Sequence, residues 1–254
     1  MSKEYKIQIL EEDPGDFDLS FKLIVIGDSF VGTSCLSLKA AKGIFDENYT
    51  PTIGFEFLTF FVKIGESNIK LQIWDTCGQE VYRSLISSFY HNSSLAILVY
   101  SIDNKNSYAS LESWLNEIKT LGSPDINIFL IGNKADLEEK RQVPKEKGEE
   151  FCKSHGINFF LETSARTGFN AQNVFLEASK LLYEQHLKFK DKLSRPNSAN
   201  NLITLGNRDT TNIILETNEE DEEDDENKRK KNVAHHNLVN IRYIILVINF
   251  KIYD

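Results

Sequence analysis

Short apolar runs, each closed by glycine or a polar turn, alternate along this chain with stretches whose apolar residues recur every three or four positions. The run Phe21-Lys22-Leu23-Ile24-Val25-Ile26 stops at Gly27 and predicts a buried parallel strand. Phe57 to Ile64 and Ile69 to Trp74 predict two more strands around Gly65-Glu66-Ser67. In the second of these, Ile69, Leu71 and Ile73 share one face and Lys70 and Gln72 the other. Leu95 to Tyr100, Ile126 to Ile131 and Asn158 to Leu161 complete a predicted set of six strands. Leu111, Leu115 and Ile118 repeat at helical spacing, as do Val174, Phe175, Ala178, Leu181 and Leu182. Strands alternating with helices of this size predict one α/β domain, with a mostly parallel six-stranded sheet and five helices on its two faces. Ligands of such sheets bind in the loops after the carboxyl ends of the strands.

Composition changes the picture mainly at the two ends. Residues 1–17 carry Glu11-Glu12-Asp13-Pro14-Gly15-Asp16 and are expected to form a flexible extension ahead of a domain over 18–188. From Asp191 the chain turns to Ser, Asn, Thr and charge, so 189–254 reads as a disordered charged linker with a short apolar tail. Of the net charge of −9, the acidic run Glu219 to Glu226 and the basic run Lys228 to Lys231 together hold −4, and −5 remains on everything else. No basic surface for nucleic acid is expected. Cys35, Cys77 and Cys152 have neither disulfide nor metal-ligand spacing, and the N-terminus has no apolar signal region, so a cytosolic protein is expected. His235-His236 is too isolated for a metal site.

The candidate chemistry falls at the predicted strand ends. Gly27-Asp28-Ser29-Phe30-Val31-Gly32-Thr33-Ser34 has the spacing of the phosphate loop G-x-x-x-x-G-K-[ST], whose backbone N–H groups surround phosphate oxygens at a helix N-terminus. Ser34 offers a hydroxyl to Mg²⁺, but Thr33 stands at the lysine position. In Trp74-Asp75-Thr76-Cys77-Gly78-Gln79-Glu80, Asp75 suits the Mg²⁺ shell, Gly78 a terminal phosphate, and Gln79 an attacking water. In Asn133-Lys134-Ala135-Asp136, the Asp136 carboxylate can accept two hydrogen bonds from guanine and would repel adenine N1. Glu162-Thr163-Ser164-Ala165-Arg166 offers a backbone N–H to the guanine oxygen. Each tetrapeptide is weak alone; four in order at strand ends are not.

These motifs resemble those of the Ras superfamily of small GTPases, with the P-loop NTPase fold, and most closely the Rab proteins. The stretch from Tyr49 to Phe57, with Thr50, Pro51, Thr52, Ile53, Gly54, Phe55 and Glu56, is similar to the first switch and following strand of Rabs. The resemblance implies that Thr52 binds Mg²⁺ and the γ-phosphate, that Phe45 packs on guanine, and that Phe57, Trp74 and Phe89 present an effector surface. Cofactor contacts are implied for Gly27 through Cys35, Phe45, Thr52, Gly78, Asn133, Lys134, Asp136, Ser164, Ala165 and Arg166. Metal contacts are implied for Ser34, Thr52 and Asp75, and catalysis for Gln79. Further implications are GTP and GDP as ligands, exchange factors, activating proteins and effectors as partners, and a role in vesicle traffic. Ser84-Leu85 through Phe89-Tyr90 and Ser123-Pro124 through Leu137 look most like the endosomal branch.

Three departures qualify this. A hydrogen bond to a charged group contributes about 1.5–3 kcal/mol, so loss of the lysine at Thr33 is expected to weaken nucleotide binding about ten- to a hundredfold. Hydrolysis should suffer more, because the lysine also stabilises transition-state charge. Phe30 occupies a position that usually holds glycine or alanine. Finally, the last cysteine is Cys152, so C-terminal prenylation is not expected. The apolar run 241–250 is too short to span a bilayer, which leaves membrane association open. The rival expectation is therefore a pseudo-GTPase, a protein-interaction module with little turnover.

Overall fold

The computed structural model describes residues 5–47, 52, 54–76 and 89–193. In chain order its strands are β1 (Ile7–Leu10), β2 (Leu19–Gly27), β3 (Phe55–Ile64), β4 (Ser67–Thr76), β5 (Leu95–Ser101), β6 (Asn127–Asn133) and β7 (Phe160–Glu162). The α-helices are α1 (Thr33–Lys42), α2 (Lys105–Ala109), α3 (Leu111–Leu121), α4 (Lys145–His155) and α5 (Ala171–Leu193), with a 3₁₀ helix at Ala135–Lys140. The strands join in one sheet, ordered β1-β3-β4-β2-β5-β6-β7. β2, β4, β5, β6 and β7 run parallel, while β3 pairs antiparallel with both β4 and β1.

The alternation read along β2 explains the two cores. Leu23 and Val25 enter a cluster with Leu36 and Ala40 of α1 and Val174, Phe175 and Ala178 of α5. Ile24 and Ile26 enter the opposite cluster, with Leu111, Trp114, Leu115 and Ile118 of α3 and Phe151 of α4. Every residue of β5 is buried, as a strand covered on both faces must be. Because the chain leaves β2 toward β3 on one side while β5 lies on the other, the carboxyl end of β2 is a topological switch point.

The structure corrects four expectations. Residues 1–17 are not simply an extension: Ile7–Leu10 pairs with Phe61 to Ile64 on the sheet edge, making seven strands among the described residues instead of six. Asp18 continues the attachment, its carboxylate accepting from the Asn68 N–H at 2.7 Å. The acidic residues around Pro14 masked a short apolar alternation, Ile7, Ile9 and Leu10, that is enough to cover an open edge. The last strand begins at Phe160 and not at Asn158. The final helix runs to Leu193, past the boundary at 188, because its polar residues from Lys188 onward lie on exposed turns that helical geometry tolerates. Tyr49 to Pro51, Ile53, the segment 77–88 with Cys77, Gly78, Gln79 and Glu80, and the tail from 194 lie outside the described residues.

Candidate nucleotide site

The phosphate loop forms at the switch point. Gly27 ends β2 against β5, where a Cβ would lie 2.3 Å from the Val99 carbonyl oxygen. Asp28 and Ser29 follow in a half-buried bend. Phe30 takes φ 67° and Gly32 φ 91°, two left-handed residues flanking buried Val31. Such alternation curls successive N–H groups inward into an anion-binding nest. Gly32 has two reasons to be glycine: its φ, and the Asn133 amide nitrogen, which would sit 2.7 Å from a Cβ. Helix α1 starts at Thr33 with no side-chain cap and no acidic residue in its first turn, leaving its N-terminal N–H groups for an anion.

The three residues assigned to the metal come together. Ser34 donates its hydroxyl to Asp75 Oδ2 and shares a 2.5 Å hydrogen bond with the Thr52 hydroxyl. Asp75 is fully buried, and its Oδ1 is without a partner. Burial pushes its carboxyl up to about 7, with the hydrogen bond from Ser34 opposing the rise. A buried carboxylate with an orphaned oxygen, ringed by hydroxyls, is a donor set for a hard divalent cation. These residues fit Mg²⁺. Thr33, expected near the phosphates, is buried at the start of α1 and brings no cation there. Cys35 is half-buried against the α1–α5 core, and burial raises its thiol pKa.

The base end is held by a network of its own. Asn133, 1% exposed, donates its amide to the Val31 carbonyl at 2.9 Å and the Gly32 carbonyl at 3.3 Å, and accepts from the Thr163 hydroxyl at 3.1 Å. Its amide thus braces the phosphate loop against the base loops. Lys134 is left-handed at φ 65°, with its ammonium 3.9 Å from Asp103. Exposed Asp136 accepts from the Ser164 hydroxyl at 2.6 Å, which aims its carboxylate. The Ser164 N–H is taken by the Phe169 carbonyl at 2.9 Å, and Ala165 is buried beside it. Phe45 is half-buried against the same core cluster as Ala165. Arg166 extends outward and meets Glu47 at 2.7 Å.

Away from the pocket, Phe57 and Trp74 are directly cross-strand and have ring centroids 5.0 Å apart; Trp74 and Phe89 are 5.1 Å apart. Phe55 joins them, 4.8 Å from Phe89. Lys22 lies over the Trp74 ring and donates to the His91 carbonyl. A cavity of about 910 Å³ between α5, the start of β6 and the loop before β7 is lined by none of the motif residues. We give it no part in the nucleotide chemistry.

Sequence reasoning missed three ties: the Asn133 brace, the Glu47–Arg166 pair, and the Trp114 indole N–H, which donates to the Asp28 carboxylate at 2.7 Å. The last joins α3 to the phosphate loop across 86 residues of chain. Long-range polar contacts leave no periodic signal, and only the folded chain reveals them.

A nest at the carboxyl end of a parallel strand, a hydroxyl-and-carboxylate metal site and an aimed aspartate on the base loop define a P-loop nucleotide-binding protein of the GTPase type. The sequence model of the Ras family matches residues 22–184, and the chain belongs to that family. Its members are small GTPases, which bind GTP and GDP, typically with Mg²⁺, and act through regulators and effectors.

Proposed function

We propose that this chain is a Rab-like GTP/GDP switch of vesicle traffic, acting from the cytosol at endomembrane surfaces, with its grip on phosphate weakened by Thr33 and Phe30. The observation that carries the switch is the contact of Thr52 with Ser34, which in turn bonds Asp75. Thr52 lies on the segment between α1 and β3, so whatever holds or frees its hydroxyl repositions the chain entering β3. Mg²⁺, when bound, neutralises charge on the phosphates. Ser34, Thr52 and Asp75 supply its protein ligands, and Asp136 and Ala165 read the base. Gln79 orients the attacking water in this reading.

Support for the Rab branch comes from Phe57, Trp74 and Phe89, whose contiguous rings adjoin the start of β3. A Thr52-dependent change at Gly54 and Phe55 is felt there first. The pseudo-GTPase reading is favoured by one observation: Thr33, buried at the lysine position, offers the phosphates no cation. Titration of the purified full chain with GDP and GTP in Mg²⁺, against Thr33→Lys, separates the two. The switch requires measurable binding by the wild type, about ten- to a hundredfold weaker than by the variant. Absence of binding at millimolar nucleotide, with tight binding by Thr33→Lys, would establish the pseudo-GTPase instead.

A further inference from the structure

In the nucleotide reading, the base lies between two segments far apart in sequence. One is the stretch after α1, with Gly43 and Phe45; the other is the loop after β7, with Ser164, Ala165 and Arg166. They are joined at two points. Lys39 of α1 donates to the Gly43 carbonyl at 3.0 Å, and its stem packs so close to Gly168 that a Cβ there would come within 3.1 Å. Beyond Phe45, the Arg166 guanidinium bonds the Glu47 carboxylate at 2.7 Å, spanning 119 residues of chain. The Lys39 contact precedes Phe45 in sequence and the ion pair follows it. Both partners of the pair are more than half exposed, at 57% and 67%.

We propose that the Glu47–Arg166 ion pair is a latch across the nucleoside pocket that sets how long a bound guanine nucleotide stays. This rests on the nucleotide-switch reading above and assigns the Arg166 side chain a role beyond that of its backbone. Closing the pocket from both walls slows escape while leaving the hydrogen bonds to the base unchanged, so the effect falls on dissociation more than on discrimination. An exposed pair contributes little, and salt screens it. Opening it therefore speeds release by about 1.5- to fivefold, and raising ionic strength mimics the substitution.

The test is the release rate of a fluorescent GDP analogue from the full chain in Mg²⁺, at low and high salt, for wild type, Glu47→Gln, Arg166→Gln and the exchanged pair Glu47→Arg/Arg166→Glu. The latch requires faster release from each single variant, loss of the salt acceleration seen in the wild type, and recovery of slow release in the exchanged pair. Single variants that release at the wild-type rate, or an exchanged pair as fast as the singles, overturn it while leaving the switch intact. If no variant takes up the analogue, the nucleotide reading and the latch fail together.

Discussion

The two ends of the candidate site are built to different standards. At the base end, each side chain needed to present Asp136 has a partner: Ser164 aims the carboxylate, Thr163 fixes Asn133, and Asn133 reaches across to hold Val31 and Gly32. At the phosphate end the backbone nest and the metal-site hydroxyls are present, yet Thr33 supplies no cation and Phe30 puts a bulky residue into a left-handed turn. In the reading proposed above, the base end selects which nucleotide is bound, whereas the phosphate end decides how tightly and what is done to it. Loss at the phosphate end need not spread to the base end, because the Asn133 brace makes the nest depend on the base loops and not the reverse. A chain with this imbalance is expected to keep guanine selectivity while losing affinity and turnover.

The largest expected effect tests the stronger end. Asp136→Asn exchanges two acceptor contacts to guanine for a mixed donor and acceptor. At about 1.5–3 kcal/mol for each bond to a charged group, GTP-over-ATP preference should fall by roughly two to four decades in a competition assay. Unchanged preference would mean that the base is read elsewhere.

The next effect belongs to the phosphate end. Asp75, raised by burial from 3.8 to about 7, stays protonated in the metal-free folded chain where the unfolded chain has released its proton. The folded state thus binds more protons between about pH 4 and 7, and its stability falls as pH rises through that window, by at most about 1.4 kcal/mol per pH unit. Mg²⁺, which takes the carboxylate form, should flatten the slope. Urea unfolding at pH 5, 6 and 7, in chelator and in Mg²⁺, measures this; equal stability at pH 5 and 7 in chelator would remove Asp75 from the buried, unpaired state assigned to it.

The comparison also separates what was legible in the sequence. The buried strands were, since apolar runs closed by glycine have one reading in an α/β fold, and the motifs fell at their ends as sheet geometry demands. Ser34 and Asp75 were named from their motifs and Thr52 from the family resemblance, and the fold brings them into contact. β1 was missed because four residues are too few for a pattern to outweigh the acids that follow. Asn133 was assigned to the base because its motif suggests so, while its contacts to Val31, Gly32 and Thr163, which tie the two loops together, had no signal in the motif. Pattern names a residue; only its neighbours assign its bonds. Thr33 was read as a missing charge, whereas its burial at the start of α1 required the fold.

The smallest effect sharpens the comparison most, because each end holds one bulky left-handed residue. Phe30 at φ 67° and Lys134 at φ 65° adopt nearly the same backbone conformation, which costs a side-chain-bearing residue about 1–2 kcal/mol. They differ in what the side chain returns. The Phe30 ring is 77% exposed, so little apolar burial offsets the strain. Lys134 has its ion partner Asp103 at 3.9 Å. Phe30→Gly relieves the strain at an entropic cost of about 0.5–1 kcal/mol, for a net gain near 0.5–1 kcal/mol. That corresponds to a Tm higher by about 1–4 °C in nucleotide-free protein. Lys134→Gly gets the same relief but gives up its pair, so its Tm should rise less or fall. If Phe30→Gly lowers Tm, the ring holds the phosphate loop in place, and the phosphate end is better built than its missing lysine suggests.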